Sequence, residues 1–206
     1  MLKIILYIII LAVLIGGSIG LWHLYDVNKR NQKEMTPYMG APVAYQNDLG
    51  RVLVVYYSLS GHTKEIAEKI AAYTNGDLYE IQTVEKMPAA PMLHFAVKKQ
   101  LKSHDYPAVS PIMPDFNAYD TIFVGSPIWW YTAATPVLSF LKQADFMGKN
   151  VVPFSTQGSN VGTYFEDFKN AARGGQILTG KSFNNLPAKY NKAVDNKIKQ
   201  WLNDLK

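Results

Sequence analysis

Between Ser58 and Thr63 the chain gathers small hydroxyl side chains around one glycine: Ser58-Leu59-Ser60-Gly61-His62-Thr63. Ahead of it, Arg51–Tyr57 is a short run of β-branched and aromatic residues, which reads as a buried strand. Behind it, Thr63–Ala71 sets Ile66, Ala67, Ile70 and Ala71 on one helical face. A strand, a hydroxyl-and-glycine turn and a helix N-terminus make an anion site. The first helical N–H groups lack partners in the chain, and the helix dipole is positive there. Ser58, Ser60 and Thr63 can add hydroxyl donors, and Gly61 lets backbone approach the anion. The loop holds no Lys or Arg. That excludes a triphosphate loop ending in Gly-Lys-Ser/Thr, and the three-glycine dinucleotide fingerprint is absent as well. Neutral donors suit a single phosphate monoester. The plainer alternative is a serine-rich strand-to-helix turn.

A second group, Ser126-Pro127-Ile128-Trp129-Trp130-Tyr131-Thr132, follows another apolar run. Two adjacent tryptophans and a tyrosine in a loop are costly to expose. A flat heteroaromatic ring would cover them by stacking, and backbone N–H groups there could stabilise negative charge gathering on such a ring. At least one indole is expected to pack into the core instead. A third group, Ser155-Thr156-Gln157-Gly158-Ser159-Asn160, is turn-rich. No catalytic acid–base pair, Ser-His-Asp set or metal cluster is visible. His94 and His104 lack partners at ligand spacing and read as structural.

The elements that must position these groups alternate. After the strand at 51–57 and its helix, strands are expected at Leu78–Val84, Tyr119–Gly125, Asn150–Thr156 and Gln176–Phe183. Helices are expected at Leu93–Lys102, Thr135–Ala144 and Val161–Ala172, and a last one has Tyr190, Val194, Ile198, Trp201 and Leu205 inward. Pro153 inside the fourth strand is an objection, since proline is unwelcome in a central strand. Alternation implies βαβ units and a parallel sheet. The fold class is therefore α/β, with five strands able to take the order 2-1-3-4-5. That order binds ligands at the carboxyl ends of the strands, beside the switch in strand order. All three loops fall at such ends.

The first loop resembles the flavodoxin phosphate loop, Ser/Thr-x-Ser/Thr-Gly-x-Thr. Gly-Ser-Pro-Ile-Trp-Trp-Tyr-Thr resembles the isoalloxazine loop of the flavodoxin subfamily that carries Pro-Ile-Trp-Trp. Ser155–Ser159 resembles that subfamily's Ser/Thr-x-Gly-Gly/Ser stretch. The likeness runs from Arg51 to Lys206 and implies a flavodoxin-like three-layer sandwich binding flavin mononucleotide (FMN). Carried over by position, Ser58, Leu59, Ser60, Gly61, His62 and Thr63 would hold the phosphate. Pro127, Ile128, Trp129, Trp130, Tyr131, Thr156, Gln157 and Gly158 would hold the ring. His62 departs from the family, which usually has Asn or a small polar residue there; it either donates to the phosphate or points to solvent. The net charge also departs: the chain carries +5, with seventeen basic and thirteen acidic residues from Arg51 on, whereas carrier flavodoxins are acidic. This leaves the usual positively charged partners in doubt, and anionic lipid is an alternative neighbour.

At 206 residues one domain plus an appendage is expected, and 48% apolar residues suffice for a core. The absence of cysteine excludes disulfides, thiolate catalysis and Cys-based metal sites. Lys189, Lys192, Lys197 and Lys199 form a modest cluster, which reads as a solvated helix face; no aromatic-interleaved basic stripe supports nucleic-acid binding. Ile4–Trp22 holds no charge. At about 1.5 Å per residue it spans roughly 28 Å, near the thickness of a bilayer core. An uncleaved single-pass anchor over residues 1–22 is expected, because apolar character resumes at Leu21 and Trp22; the competing reading is a signal peptide cleaved after Ser18-Ile19-Gly20. Lys29, Arg30 and Lys33 on one flank slightly outnumber Lys3 and the amino terminus on the other, which favours a cytoplasmic location for the globular part of the chain, with an extracytoplasmic one as the alternative. Residues 23–50 read as a polar linker and 51–206 as the flavin domain.

Three functions are consistent with this. The chain is a membrane-tethered electron carrier between proteins, an FMN-dependent reductase passing hydride from NAD(P)H to a quinone, or a flavin-free interaction scaffold. The lack of a dinucleotide fingerprint leans toward the carrier.

Overall fold

The computed structural model describes residues 2–158 and 160–206. Ser159, the last residue of the third loop's family-like stretch, therefore lies outside the described residues. The chain divides into two compact units, one of residues up to Ala41 with Leu186–Val194, the other of Pro42–Asn185 with Asp195–Lys206.

The first unit is dominated by α1 (Leu2–Met35). Part of it is long and apolar enough to cross a membrane, and Ile9, Val13, Leu21 and Trp22 within it are exposed. The helix runs further than the polar composition after His23 led one to expect. Asp26 and Arg30 pair one turn apart at 3.1 Å, and no proline intervenes before Pro37. At Pro37 the α-helix has already given way to a 3-10 turn, Thr36–Tyr38.

The second unit begins with a strap. The Val43 and Gln46 N–H groups donate to the side-chain oxygens of Asn196 and Asn203, both at 2.9 Å, and Asn47 Nδ2 donates to the carbonyls of Leu202 and Leu205. Those partners belong to the final helix, α6 (Asn191–Asp204), and its C-terminal end. The second half of the expected linker is thus fastened to the domain.

The strands are β1 (Val52–Tyr56), β2 (Asp77–Glu80), β3 (Thr121–Trp129), β4 (Thr132–Ala133), β5 (Asn150–Gln157), β6 (Gln176–Ile177) and β7 (Lys181–Asn184). The helices between them are α2 (His62–Thr74), α3 (Met92–Ser103), α4 (Thr135–Gln143) and α5 (Tyr164–Ala171). The sheet runs β2-β1-β3-β5-β6, parallel throughout, with β7 also parallel on β5 and β4 antiparallel on β3. This is the doubly wound order 2-1-3-4-5, with the fifth strand in two pieces and one added hairpin.

Pro153 explains the break. Val151 pairs with Ile177 and Phe154 with Lys181, so two residues of β5 face three opposite. The Lys149 and Val151 carbonyls accept from Gln176 and Leu178, so odd-numbered residues of β5 face this neighbour. Pro153 is one of them and has no N–H to give. The extra residue is accommodated where that bond is missing. Gly180 lies so close to the Pro153 carbonyl and the Phe165 ring that a Cβ there would collide with both.

Alternation along the strands supplies two cores. Leu53, Val55, Ile122, Val124 and Val151 join Val137, Phe140, Leu141 and Phe168 of α4 and α5. Phe123 points the other way and meets the Trp201 ring of α6 edge-on at 5.6 Å. Each such side chain, fully buried, contributes about 1.5–3 kcal/mol. Lys197 of the expected solvated cluster is itself buried, and its Nζ donates to the Ser182 carbonyl at 2.7 Å. Its stem and charge serve the packing of α6 on β7, not a free basic face.

Candidate functional site

Because the sheet is parallel, the loops after β1, β3 and β5 emerge at one edge, around the β1/β3 switch in order. At the first, Gly61 caps α2 with φ +92°, in the left-handed region, while a Cβ built on it meets nothing. Glycine is needed here for its backbone, not for space. The Gly61 N–H donates to Ser58 Oγ at 3.1 Å and closes the loop. No side chain caps α2, and Ser60 and His62 beside its first turn are exposed. Thr63 also reaches across to the third loop. Its side chain is buried and its Oγ1 lies 2.8 Å from Thr156 Oγ1. The hydroxyl is thus shared with the third loop, and where Thr156 is the donor Thr63 Oγ1 keeps its own proton to give, beside its backbone N–H.

The middle group is not an irregular loop. Ile128 pairs with Ala133 and Trp129 with Thr132, so β3 and β4 form a hairpin turning on two residues, Trp130 and Tyr131. Both have positive φ, 51° and 67°. Such a turn normally takes Asn-Gly, and a side chain there costs roughly 1–2 kcal/mol per residue. Neighbours hold the strained turn. Trp130 Nε1 donates to the His94 carbonyl at 3.1 Å, and the two rings stack with centroids 4.2 Å apart. Lys98 Nζ sits 5.2 Å from the Trp130 ring centroid. The Tyr131 carbonyl accepts from the Thr163 N–H at 2.8 Å, and Gly162 approaches so closely that a Cβ would press into that same carbonyl. Trp129 turns inward and meets Tyr57 edge-on at 5.7 Å. Both indoles are thus partly covered, and Tyr131 is the exposed ring. Burial, then the charge of Glu80, pushes the Tyr57 hydroxyl up to about 12.

In the third loop, Gln157 is buried. Its Nε2 donates to Asn184 Oδ1 at 3.0 Å and its Oε1 accepts from Ser155 Oγ at 3.3 Å. The side chain is therefore tied back into the sheet, leaving Gly158 exposed at the rim. Ile128, Trp130, Tyr131, Gln157 and Gly158 line one cleft of about 250 Å³. Pro127 pairs with Thr156 just beneath, across β3 and β5. Asn160, the last residue of the third group, also lines this cleft, as does His94, which carries no signal in local sequence. His94 reaches it from α3, and only the Trp130 stack marks it. Among the described residues no group of His, Asp and Glu could hold a metal ion.

The parallel sheet thus places an uncapped helix N-terminus and an aromatic-sided cleft at the same edge, linked through Thr63 and Thr156. It defines a doubly wound α/β protein with a ligand crevice at its topological switch. A family model described as flavodoxin matches residues 51–205, and the chain belongs to the flavodoxin family. A flavoprotein from Lactobacillus acidophilus NCFM, solved in complex with FMN, is 29% identical with a TM-score of 0.59, over 65% of this chain and 93% of that one. The apo-form of the flavoprotein from the same organism is 30% identical with a TM-score of 0.54, over 69% and 96%. A NAD(P)H dehydrogenase (quinone) from Gluconacetobacter diazotrophicus is 27% identical over 150 residues, 65% of this chain and 72% of its own length.

Proposed function

We propose that the chain binds FMN in this crevice and serves in electron transfer, tethered to a membrane by α1. One observation carries the reading. The Thr63–Thr156 hydrogen bond ties the uncapped N-terminus of α2 to the loop whose Gln157 and Gly158 line the cleft beside Trp130. The phosphate would lie on the N–H groups of Ser60 to Thr63, with the Ser58 and Ser60 hydroxyls nearby. Leu59 and His62 border it. The ring would occupy the slot between Pro127–Tyr131 and Thr156–Gly158. The complex of the Lactobacillus acidophilus flavoprotein with FMN supports this.

When bound, FMN would supply the redox chemistry. The chain's part is to bind and orient. His94 fixes the Trp130 indole, so the slot's side wall is preformed. Tyr131, exposed and at the turn, is free to cover the ring and restrict water. Tyr57 remains protonated through the neutral range, so no charge develops beside Trp129.

The electron-carrier reading stands first, with a redox protein as partner and the flavin domain on the cytoplasmic side. The name borne by the Gluconacetobacter diazotrophicus relative supports a second, an NAD(P)H:quinone reductase. One experiment separates them from a flavin-free scaffold. The purified chain is examined for a flavin spectrum, then NADPH is added anaerobically, then a quinone. A carrier is yellow and unchanged by NADPH alone; a reductase is bleached and then reoxidised; a scaffold is colourless and takes up no added FMN.

A further inference from the structure

A cavity of about 660 Å³ lies on the other side of the β3–β4 hairpin. Thr132 lines it, whereas Tyr131, one residue earlier, lines the cleft described above. The volume is in the range that holds drug-sized ligands. Leu101 of α3, Leu138 of α4, Ala171 of α5 and the Tyr106 ring give it apolar walls.

Two cations stand at its rim. Lys142 Nζ sits 4.2 Å from the Tyr106 ring centroid and donates to the His104 carbonyl at 3.1 Å. Arg173 Nη2 donates to the Lys142 carbonyl at 2.8 Å. Each is held by neutral groups, and among the described residues neither has an ion-pair partner. One carboxylate lines the cavity, Asp167, and its Oδ2 accepts from Thr163 Oγ1 at 2.6 Å. Burial, then the Asp167 charge, raises the Tyr106 hydroxyl above its ordinary value, so the ring stays neutral under Lys142. The cavity therefore carries two positioned positive charges, Lys142 and Arg173, against one carboxylate, Asp167, over an apolar floor, a net positive balance.

We propose that this cavity is a second binding site, for a small amphipathic anion: an apolar ring or chain bearing one carboxylate or sulfonate. The body would replace water against Leu101, Leu138 and Ala171, and the head would take charge-assisted hydrogen bonds from Lys142 and Arg173. The site stands apart from the flavin crevice and does not depend on what that crevice holds.

The test is calorimetric titration of the full chain in lipid nanodiscs, with and without FMN, blanked against empty nanodiscs. The probes are 2-naphthoate and the neutral 2-naphthamide. The expected result is one naphthoate per chain, bound whether or not FMN is present, with naphthamide weaker. Lys142→Gln with Arg173→Gln should weaken naphthoate by about tenfold and leave naphthamide unchanged. Ala171→Trp, which fills the cavity, should abolish both. FMN uptake should be the same in all variants. No heat above the blank, competition between naphthoate and FMN, or equal weakening of both probes by the charge-removing pair would each overturn the proposal. The naphthoate arm reads out even if the chain takes up no FMN, so the two readings fail separately.

Discussion

Thr63 and Thr156, 93 residues apart in sequence, meet hydroxyl to hydroxyl at 2.8 Å in a buried position. This hydrogen bond ties the first turn of α2 to the end of β5, and so joins the first and third loops of the crevice. Thr63→Val should leave the Thr156 hydroxyl buried without a partner and cost about 1–3 kcal/mol. Adding Thr156→Val should recover part of that loss, because both polar groups are then gone. A double-mutant cycle by urea denaturation checks it. Strict additivity of the two single variants would contradict the pairing.

Strain in the hairpin predicts effects of opposite sign. Tyr131 is exposed yet held at φ +67°, so Tyr131→Gly should leave stability unchanged or raise it by up to about 1 kcal/mol, while weakening FMN uptake. Gly162 sits at φ +60° against the Tyr131 carbonyl. Gly162→Ala should lower stability by about 1–2 kcal/mol. Thermal unfolding of both variants measures this, and a large loss from Tyr131→Gly would speak against a strained turn.

How much of the fold and the crevice was legible in the sequence differs by element. The strand–helix alternation and the three crevice loops showed there, because apolar runs ending in Ser, Gly, Thr and Pro are governed by local chemistry. The hairpin was not legible. Trp130-Tyr131 carries no turn signature, and the conformation is imposed by His94 and Thr163, which are distant in sequence. Pro153 marked a difficulty in β5, but its consequence, an extra residue in the neighbouring strand, depends on register. Thr63 was legible as a crevice residue but not as a buried one, since its partner lies in another loop. The strap at Val43–Asn47 bonds to Asn196 and Asn203 through contacts that leave no periodicity behind.

Tyr57 links stability to alkaline pH. Its pKa is raised from 10 to about 12, by burial first and the Glu80 charge second. The folded state therefore keeps a proton that the unfolded chain loses. Its contribution is fully present below pH 10 and is lost as pH rises toward about 12. Melting temperature should fall across that window, and fall less in Tyr57→Phe. An identical fall in both proteins would remove Tyr57 as the cause.

The basic surplus predicts the sign of an electrostatic effect on the flavin. With +5 overall, the protein should favour the anionic, fully reduced flavin, giving a less negative potential than in acidic flavodoxins. Salt screens this attraction. Potentiometric titration should show the potential becoming more negative as ionic strength rises. A potential unmoved by salt would place the surplus charge too far from the crevice to act, and a shift the other way would contradict a positive field at the flavin.

The most direct measurement is a titration of the full chain, stripped of flavin and held in nanodiscs, with FMN. The flavin's fluorescence should be quenched to an end point of one FMN per chain, and the complex should stay yellow after gel filtration. Unquenched flavin that separates freely from the protein would contradict the account, because the crevice between α2 and the β3–β4 hairpin would then hold no such ligand.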